Sequence, residues 1–161
     1  MSSRNVLVFA AGGDAHGTAA QALLGRCRSH PIHERWWLTL MGDAQLRIEH
    51  ALDLTHNDLA VFVVDVPGLR ETYRFRALPH LSGHRIASAE ETVTPQDVLH
   101  TLSTLGRRDE LPQCYALELR SRGVDSVSAE RAADVDSAFE FLMNLLDDPE
   151  SVRWNEQLTE A

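Results

Sequence analysis

Strand-like apolar runs alternate along this chain with stretches whose apolar residues recur at helical spacing. Residues 5–10 (Asn-Val-Leu-Val-Phe-Ala) are nearly continuous in apolar character and end at Ala11-Gly12-Gly13. Such a run suits a strand covered on both faces, as in a parallel sheet. Residues 18–28 are rich in Ala and Leu, with Ala19, Ala22, Leu23 and Cys27 on one helical face. After Pro31, residues 36–41 read as a second strand, although Trp36 and Trp37 suit a loop equally well. Residues 44–54 have helical composition, and Asn57-Asp58 marks a turn. Residues 59–66 (Leu-Ala-Val-Phe-Val-Val-Asp-Val) give the strongest strand, stopped by Pro67-Gly68.

The second half continues the alternation. Over 72–78, Tyr73, Phe75 and Ala77 alternate with Arg74 and Arg76, the pattern of a half-exposed edge strand. Thr94-Pro95-Gln96-Asp97 starts a helix: Thr94 caps, Pro95 suits the first helical position and Asp97 favours the dipole. That helix carries Val98, Leu99, Leu102 and Leu105 and ends at Gly106. Residues 114–119 are a further strand. Ser128 caps a long helix with Ala132, Val135, Phe139, Leu142, Met143 and Leu146 at helical spacing, ended by Asp147-Asp148-Pro149. The expected architecture is a three-layer α/β sandwich with a mostly parallel central sheet and one antiparallel edge strand. One domain over 1–148 is expected, with a loose polar tail over 149–161.

Composition narrows the function classes. With 161 residues and 43% hydrophobic content the chain suits one compact domain with one core. Net charge is -9, and all fifteen basic residues are Arg, without a basic block. Phosphate backbones would be repelled rather than steered, so no nucleic-acid partner is expected. No apolar run approaches the roughly 20 residues of a membrane span. No signal peptide is evident before the first strand, so a cytoplasmic protein is expected. Cys27 and Cys114 are isolated thiols, unlike a disulfide framework or a Cys-based zinc site, and Cys114 reads as core.

In an open α/β sheet the ligand site lies beyond the carboxyl ends of the strands. Asp14 and His16 in the loop after the first strand, Asp65 at the end of the strongest strand, and Glu90-Glu91 before the Thr94 helix fall near such positions. Gly12-Gly13 with Gly17 lacks the spacing of a dinucleotide fingerprint, which disfavours a nucleotide-binding module. Asp65 also suits a turn-forming role, and Glu90-Glu91 suit solvated charge at a helix start. His50, His56 and His100 show no ligand spacing and read as surface residues. Trp36 and Trp37 read as packing residues or as the border of a protein-binding groove.

Taken in order, several segments resemble the endopeptidases that mature nickel-iron hydrogenases, over about residues 6–146. A Val-Leu-Val strand meets the loop Ala-Ala-Gly-Gly-Asp-Ala-His-Gly. Residues 45–54 (Gln-Leu-Arg-Ile-Glu-His-Ala-Leu-Asp-Leu) are similar to the family's helix before its central strand. Residues 61–66 (Val-Phe-Val-Val-Asp-Val) are similar to its strand ending in a metal-binding Asp. Residues 91–99 (Glu-Thr-Val-Thr-Pro-Gln-Asp-Val-Leu) match its His-x-Leu-Ser-Pro-x-x-Leu-Leu pattern from the second residue onward. Residues 112–120 and 127–130 resemble its last strand and the start of its C-terminal helix.

The resemblance implies a protease that removes a C-terminal extension from a hydrogenase large-subunit precursor after nickel insertion. Nickel would come with the substrate, with none tightly bound at rest. The family's ligands are an acidic residue in the first loop, the strand-end Asp and a His before the capped helix. Here aligning His16-Gly17-Thr18-Ala19 to the family's acidic-Gly-x-Gly puts His16 at the first position, whereas a shift of one residue would put Ala15 there. Asp65 is carried over unchanged, and Glu91 replaces the His. His16, Asp65 and Glu91 would then form the metal site, with Asp65 catalytic, and Asp14 and His84 are further candidates. One imidazole and two carboxylates still suit a borderline divalent metal. The competing implication is a protein that binds the large subunit without cutting it, as an assembly factor or chaperone.

Overall fold

A computed structural model describes residues 5–11, 19–43, 54, 57–78, 98, 112–121 and 128–159. In chain order the elements are strand β1 (Val6–Ala11), helix α1 (Ala19–Arg28), a 3-10 turn (Pro31–Glu34), and strands β2 (Leu38–Asp43), β3 (Leu59–Pro67), β4 (Tyr73–Leu78) and β5 (Gln113–Ser121). Helices α2 (Ser128–Asp147) and α3 (Ser151–Asn155) follow. One five-stranded sheet has the order β2-β1-β3-β5-β4. The first four strands in that order are parallel, and β4 lies antiparallel to β5 at the edge. The expected α/β fold with one antiparallel edge strand is the fold found.

Period-two alternation explains how the sheet is covered on both faces. Val6, Val8, Ala10, Leu59, Val61, Val63, Tyr115, Leu117 and Leu119 point one way and bury against α1 and α2. Leu7, Phe9, Ala60, Phe62, Cys114 and Ala116 point the other way, where Leu54 and Val98 cover them. Leu54 and Val98 are the described residues of the two segments read as helices over 44–54 and 94–106; the rest of those segments lies outside the described residues. No helix among the described residues is long and apolar enough to cross a membrane.

Four expectations are corrected. Strand β2 starts two residues later than the apolar pattern indicated, because Trp36 and Trp37 form a turn and Trp36 is 74% exposed. The Trp37 carbonyl instead accepts from Val6 N at the start of β1. In α1 the buried row is Ala20, Leu23, Leu24 and Cys27 beside Ala19, whereas Ala22 is exposed. That row follows the i, i+3, i+4, i+7 rule more closely than the expected face. In α2, Ala132 is exposed while Ala138 and Leu145 join the core.

The C-terminal segment, expected to be a loose tail, is instead docked on the domain. Trp154 of α3 is 1% exposed, and its indole N–H donates to the carbonyls of Leu145 and Asp148. Its ring meets Phe75 and Tyr115 edge-on, and Tyr115 Oη donates to Asn155. Thr159 N donates to the Phe75 carbonyl while Phe75 N donates to Thr159 Oγ1, so the segment also ties down the outer edge of β4. A single large aromatic in an otherwise polar stretch suffices to dock it, since burying such a ring contributes several kcal/mol.

Candidate functional site

Asp65 sits where the buried row of β3 runs out. Leu59, Val61 and Val63 face α1, and Asp65 is next in that row. β1 pairs with β3 only as far as Ala10 opposite Val63, so Asp65 projects beyond the carboxyl end of β1 while still paired with Leu119 of β5. A helix leaves its first amides without intrahelical partners, and α1 has no acidic residue in its first turn. The Asp65 carboxylate fills that need: Oδ1 accepts from Ala20 N at 2.9 Å and Oδ2 accepts from Ala19 N at 3.3 Å. The interaction is a helix cap supplied from a distant strand, with the carboxylate at the positive end of the helix dipole.

Gln21 holds the same turn from the other side. Its Nε2 donates to the carbonyls of Ala10 and Asp43, the carboxyl ends of β1 and β2. Gly42 permits this approach, because a Cβ there would lie 2.5 Å from Leu24 Cδ2 and 3.2 Å from Gln21 Oε1. Asp65 and Gln21 therefore fix both where α1 begins and how closely it approaches the sheet. Gln21 belongs to no motif; the one signal available is a lone amide side chain among the Ala and Leu residues of the helix.

His16, Glu91, Asp14, His84 and Glu90 lie outside the described residues, as do His50, His56 and His100. Among the described residues, no group of three or more His, Cys, Asp and Glu side chains could hold a metal ion. Asp65 is the one candidate ligand placed, half-buried at the carboxyl edge. An ionised carboxylate accepts through both oxygens, and here each oxygen receives an amide of α1. Chemically, the position can cap a helix, and it can present a carboxylate to a divalent cation at the carboxyl edge of the sheet.

Further charged and thiol groups are structural. Glu118, 7% exposed on β5, accepts from Arg74 Nε at 2.7 Å and from Arg76 Nη2 at 3.3 Å across the β4–β5 pair. The hydrogen bond and charge of Glu118 raise the Arg74 pKa. Arg120 Nη2 donates to Asp134 of α2 at 3.1 Å and to Thr72 Oγ1 at 3.2 Å, tying the end of β5 to the helix and to the β4 turn. Burial pushes the Cys27 thiol up to about 12 and the Cys114 thiol up as well. Neither is a nucleophile at neutral pH, in line with their reading as core.

At the opposite, amino edge of the sheet lies a groove of about 780 Å³ between the 3-10 turn and the last turns of α2. Ile32, Trp37, Met143 and Leu146 contribute its apolar wall, and Glu34 and Asp147 its acidic rim.

No protein-family model matches the chain, and no curated protein matches it in sequence. Its fold does match solved structures. The hydrogenase maturating endopeptidase HybD from E. coli superposes with a TM-score of 0.59 at 12% identity, covering 90% of this chain and 93% of HybD. The hydrogenase 2 maturation peptidase from Thaumarchaeota archaeon SCGC_AB-539-E09 gives 0.59 at 15% identity, covering 89% of this chain and 99% of the peptidase. The nickel-iron hydrogenase maturation protease HycI from Thermococcus kodakarensis KOD1 gives 0.56 at 13% identity, covering 90% of this chain and 94% of that protease. The chain thus has the fold of hydrogenase maturation endopeptidases.

Proposed function

We propose that the chain serves hydrogenase maturation in the cytoplasm, as an endopeptidase that removes the C-terminal extension of a nickel-iron hydrogenase large-subunit precursor. The observation that carries this reading is a fold shared with three hydrogenase maturation peptidases over about nine-tenths of the chain. It is joined by an Asp at the carboxyl end of the central strand, the position at which an open α/β sheet presents its ligand groups. In this reading His16, Asp65 and Glu91 meet the nickel that the substrate carries, and the resting protein needs no metal of its own. A metal so held can polarise the scissile carbonyl or acidify a water nucleophile. Cleavage would then report that nickel is in place.

A second reading has its own support. Both Asp65 oxygens already receive amides of α1. A carboxylate committed to capping suits a non-catalytic assembly factor that holds the large subunit.

Asp65→Asn separates the two. The amide keeps the shape and one acceptor but loses the charge that would hold a divalent cation. In a host with the cognate hydrogenase, the endopeptidase reading expects the longer, nickel-containing precursor to accumulate, as read by intact mass of the large subunit. If wild-type, Asp65→Asn and gene-deletion strains give the same processed mass, the proteolytic reading is wrong and the assembly factor stands.

A further inference from the structure

The groove at the amino edge is remote from Asp65. Trp37 adjoins the first residue of β1, whereas Asp65 lies six residues along β3 from Leu59, or about 20 Å at strand rise. The groove is therefore a separate surface, and its chemistry is uneven.

Its apolar wall is built from half-buried Ile32, Trp37 and Met143 over buried Leu146. Trp36, 74% exposed, stands on the turn beside it and is one of two large apolar residues this exposed among those described. An aromatic left in water next to an apolar depression is a common mark of a protein-binding surface. The shape of the 3-10 turn is fixed from within: His30 Nδ1 accepts from Ile32 N at 3.0 Å, and the His30 ring meets Phe139 of α2 at 5.5 Å.

The electrostatics identify the partner's charge. The carboxyl end of α2 carries a partial negative charge, which cationic side chains ordinarily answer. Here the last turn of α2 has no basic residue and places Asp147 there instead. Asp147 and Glu34 are both exposed, and neither makes an ion pair among the described residues. Among the described residues, Arg35 is the one Arg or Lys lining the groove. Two carboxylates against one guanidinium, added to the helix end and to a chain of net charge -9, leave a site deficient in positive charge.

We propose that this groove docks a partner-protein segment presenting an apolar side chain followed by an Arg or Lys, the apolar group against Trp37 and Met143 and the cation against Asp147 and Glu34. The match of that segment to a hydrogenase large-subunit precursor rests on the proposed function; the chemistry of the groove does not. Docking at this edge would anchor the body of a partner while its chain end reaches the opposite edge.

The test uses the full chain in two arms. In the first, binding of the purified precursor is measured for wild type, Trp36→Ala and the double variant Glu34→Arg/Asp147→Arg, at low and at moderate salt. The double variant is expected to bind at least 10-fold more weakly and to lose most of the salt dependence, and Trp36→Ala to bind several-fold more weakly. The thermal midpoint of the double variant should stay level or rise, because a cation replaces an anion at a helix carboxyl end. A fold-destroying effect would move stability and binding in the same direction, so the pair of readouts keeps the two apart.

In the second arm, indole fluorescence is followed during titration with acetyl-Leu-Leu-Arg-amide and acetyl-Leu-Leu-Glu-amide. The Arg peptide should give a saturable change that the double variant loses, and the Glu peptide none. If the precursor fails to bind wild type while the Arg peptide behaves as expected, the groove inference holds and the hydrogenase partner falls. If the precursor binds wild type and the double variant equally, the groove inference is overturned and the proposed function is untouched. Equal responses to both peptides overturn the groove inference as well.

Discussion

The Asp65 carboxylate accepts a hydrogen bond from Ala20 N at 2.9 Å, joining the end of β3 to the first turn of α1 across 45 residues of sequence. A carboxylate at a helix start contributes about 1 kcal/mol as a cap, up to about 2 in favourable settings. Asp65→Ala removes both acceptors and should lower stability by about 1–2 kcal/mol, measured as a shift of the urea midpoint. Asp65→Asn retains one carbonyl and should lose about half as much. Equal midpoints for wild type and Asp65→Ala would show that the cap is not formed in solution. The Asn variant therefore remains folded enough for the processing experiment to report chemistry.

The parts of this molecule that were legible in sequence are those where one residue row decides the structure. β3 is apolar on both faces and can only be an inner strand, and the alternation of Arg74, Phe75 and Arg76 can only suit an edge. Asp65 was legible as a carboxylate where an apolar strand ends. Its partner was not, because backbone amides of Ala19 and Ala20 carry no side-chain signature. Trp36 and Trp37 misled the strand assignment, since an apolar residue reads the same whether its surface is covered or left for a partner. Gln21 was missed because its two acceptors belong to different strands, which only the fold brings together.

Trp154 tests whether the last segment is part of the domain. Its burial against Phe75, Tyr115 and the carboxyl end of α2 predicts that Trp154→Ala costs about 3–5 kcal/mol, the range for deleting a large buried aromatic. Truncation after Glu150 should destabilise at least as much, because it also exposes the outer edge of β4 that Thr159 covers. Thermal melts of the two variants check this. A truncated chain as stable as wild type would restore the loose-tail reading.

Glu118 should couple Arg74 and Arg76. Removing one Arg leaves the buried carboxylate a remaining cation; removing both strands it without one. Leaving an unpaired charge inside is costly in a dry site, and the partial exposure of both guanidiniums lessens that cost through screening. The double change Arg74→Ala/Arg76→Ala should therefore cost more than the two single changes together. Replacing Glu118 by Gln in that background should recover much of the loss. Strict additivity in a double-mutant cycle would show that the two arginines act independently.

The two thiols give a pH prediction with a definite sign. Burial raises Cys27 to about 12 from an ordinary value of 9.0, by disfavouring the thiolate. Because the folded value lies above the unfolded one, the protonated thiol is favoured by folding, and its contribution is complete below about pH 9. As pH rises from 9 toward 12 the unfolded chain ionises first and gains stability, so the native state loses its advantage. Cys114, buried on β5 and also pushed up, acts in the same direction. Neither thiol should be alkylated by iodoacetamide at pH 8 in the native protein, and both should react once urea unfolds it. The urea midpoint should hold level from pH 7 to 9 and fall above 9, less steeply in Cys27→Ala once its own lower baseline is subtracted. Rapid labelling of Cys27 at pH 8 under native conditions would mean that α1 opens from the sheet far more readily than its ties to Asp65 and, through Gln21, to Ala10 and Asp43 allow.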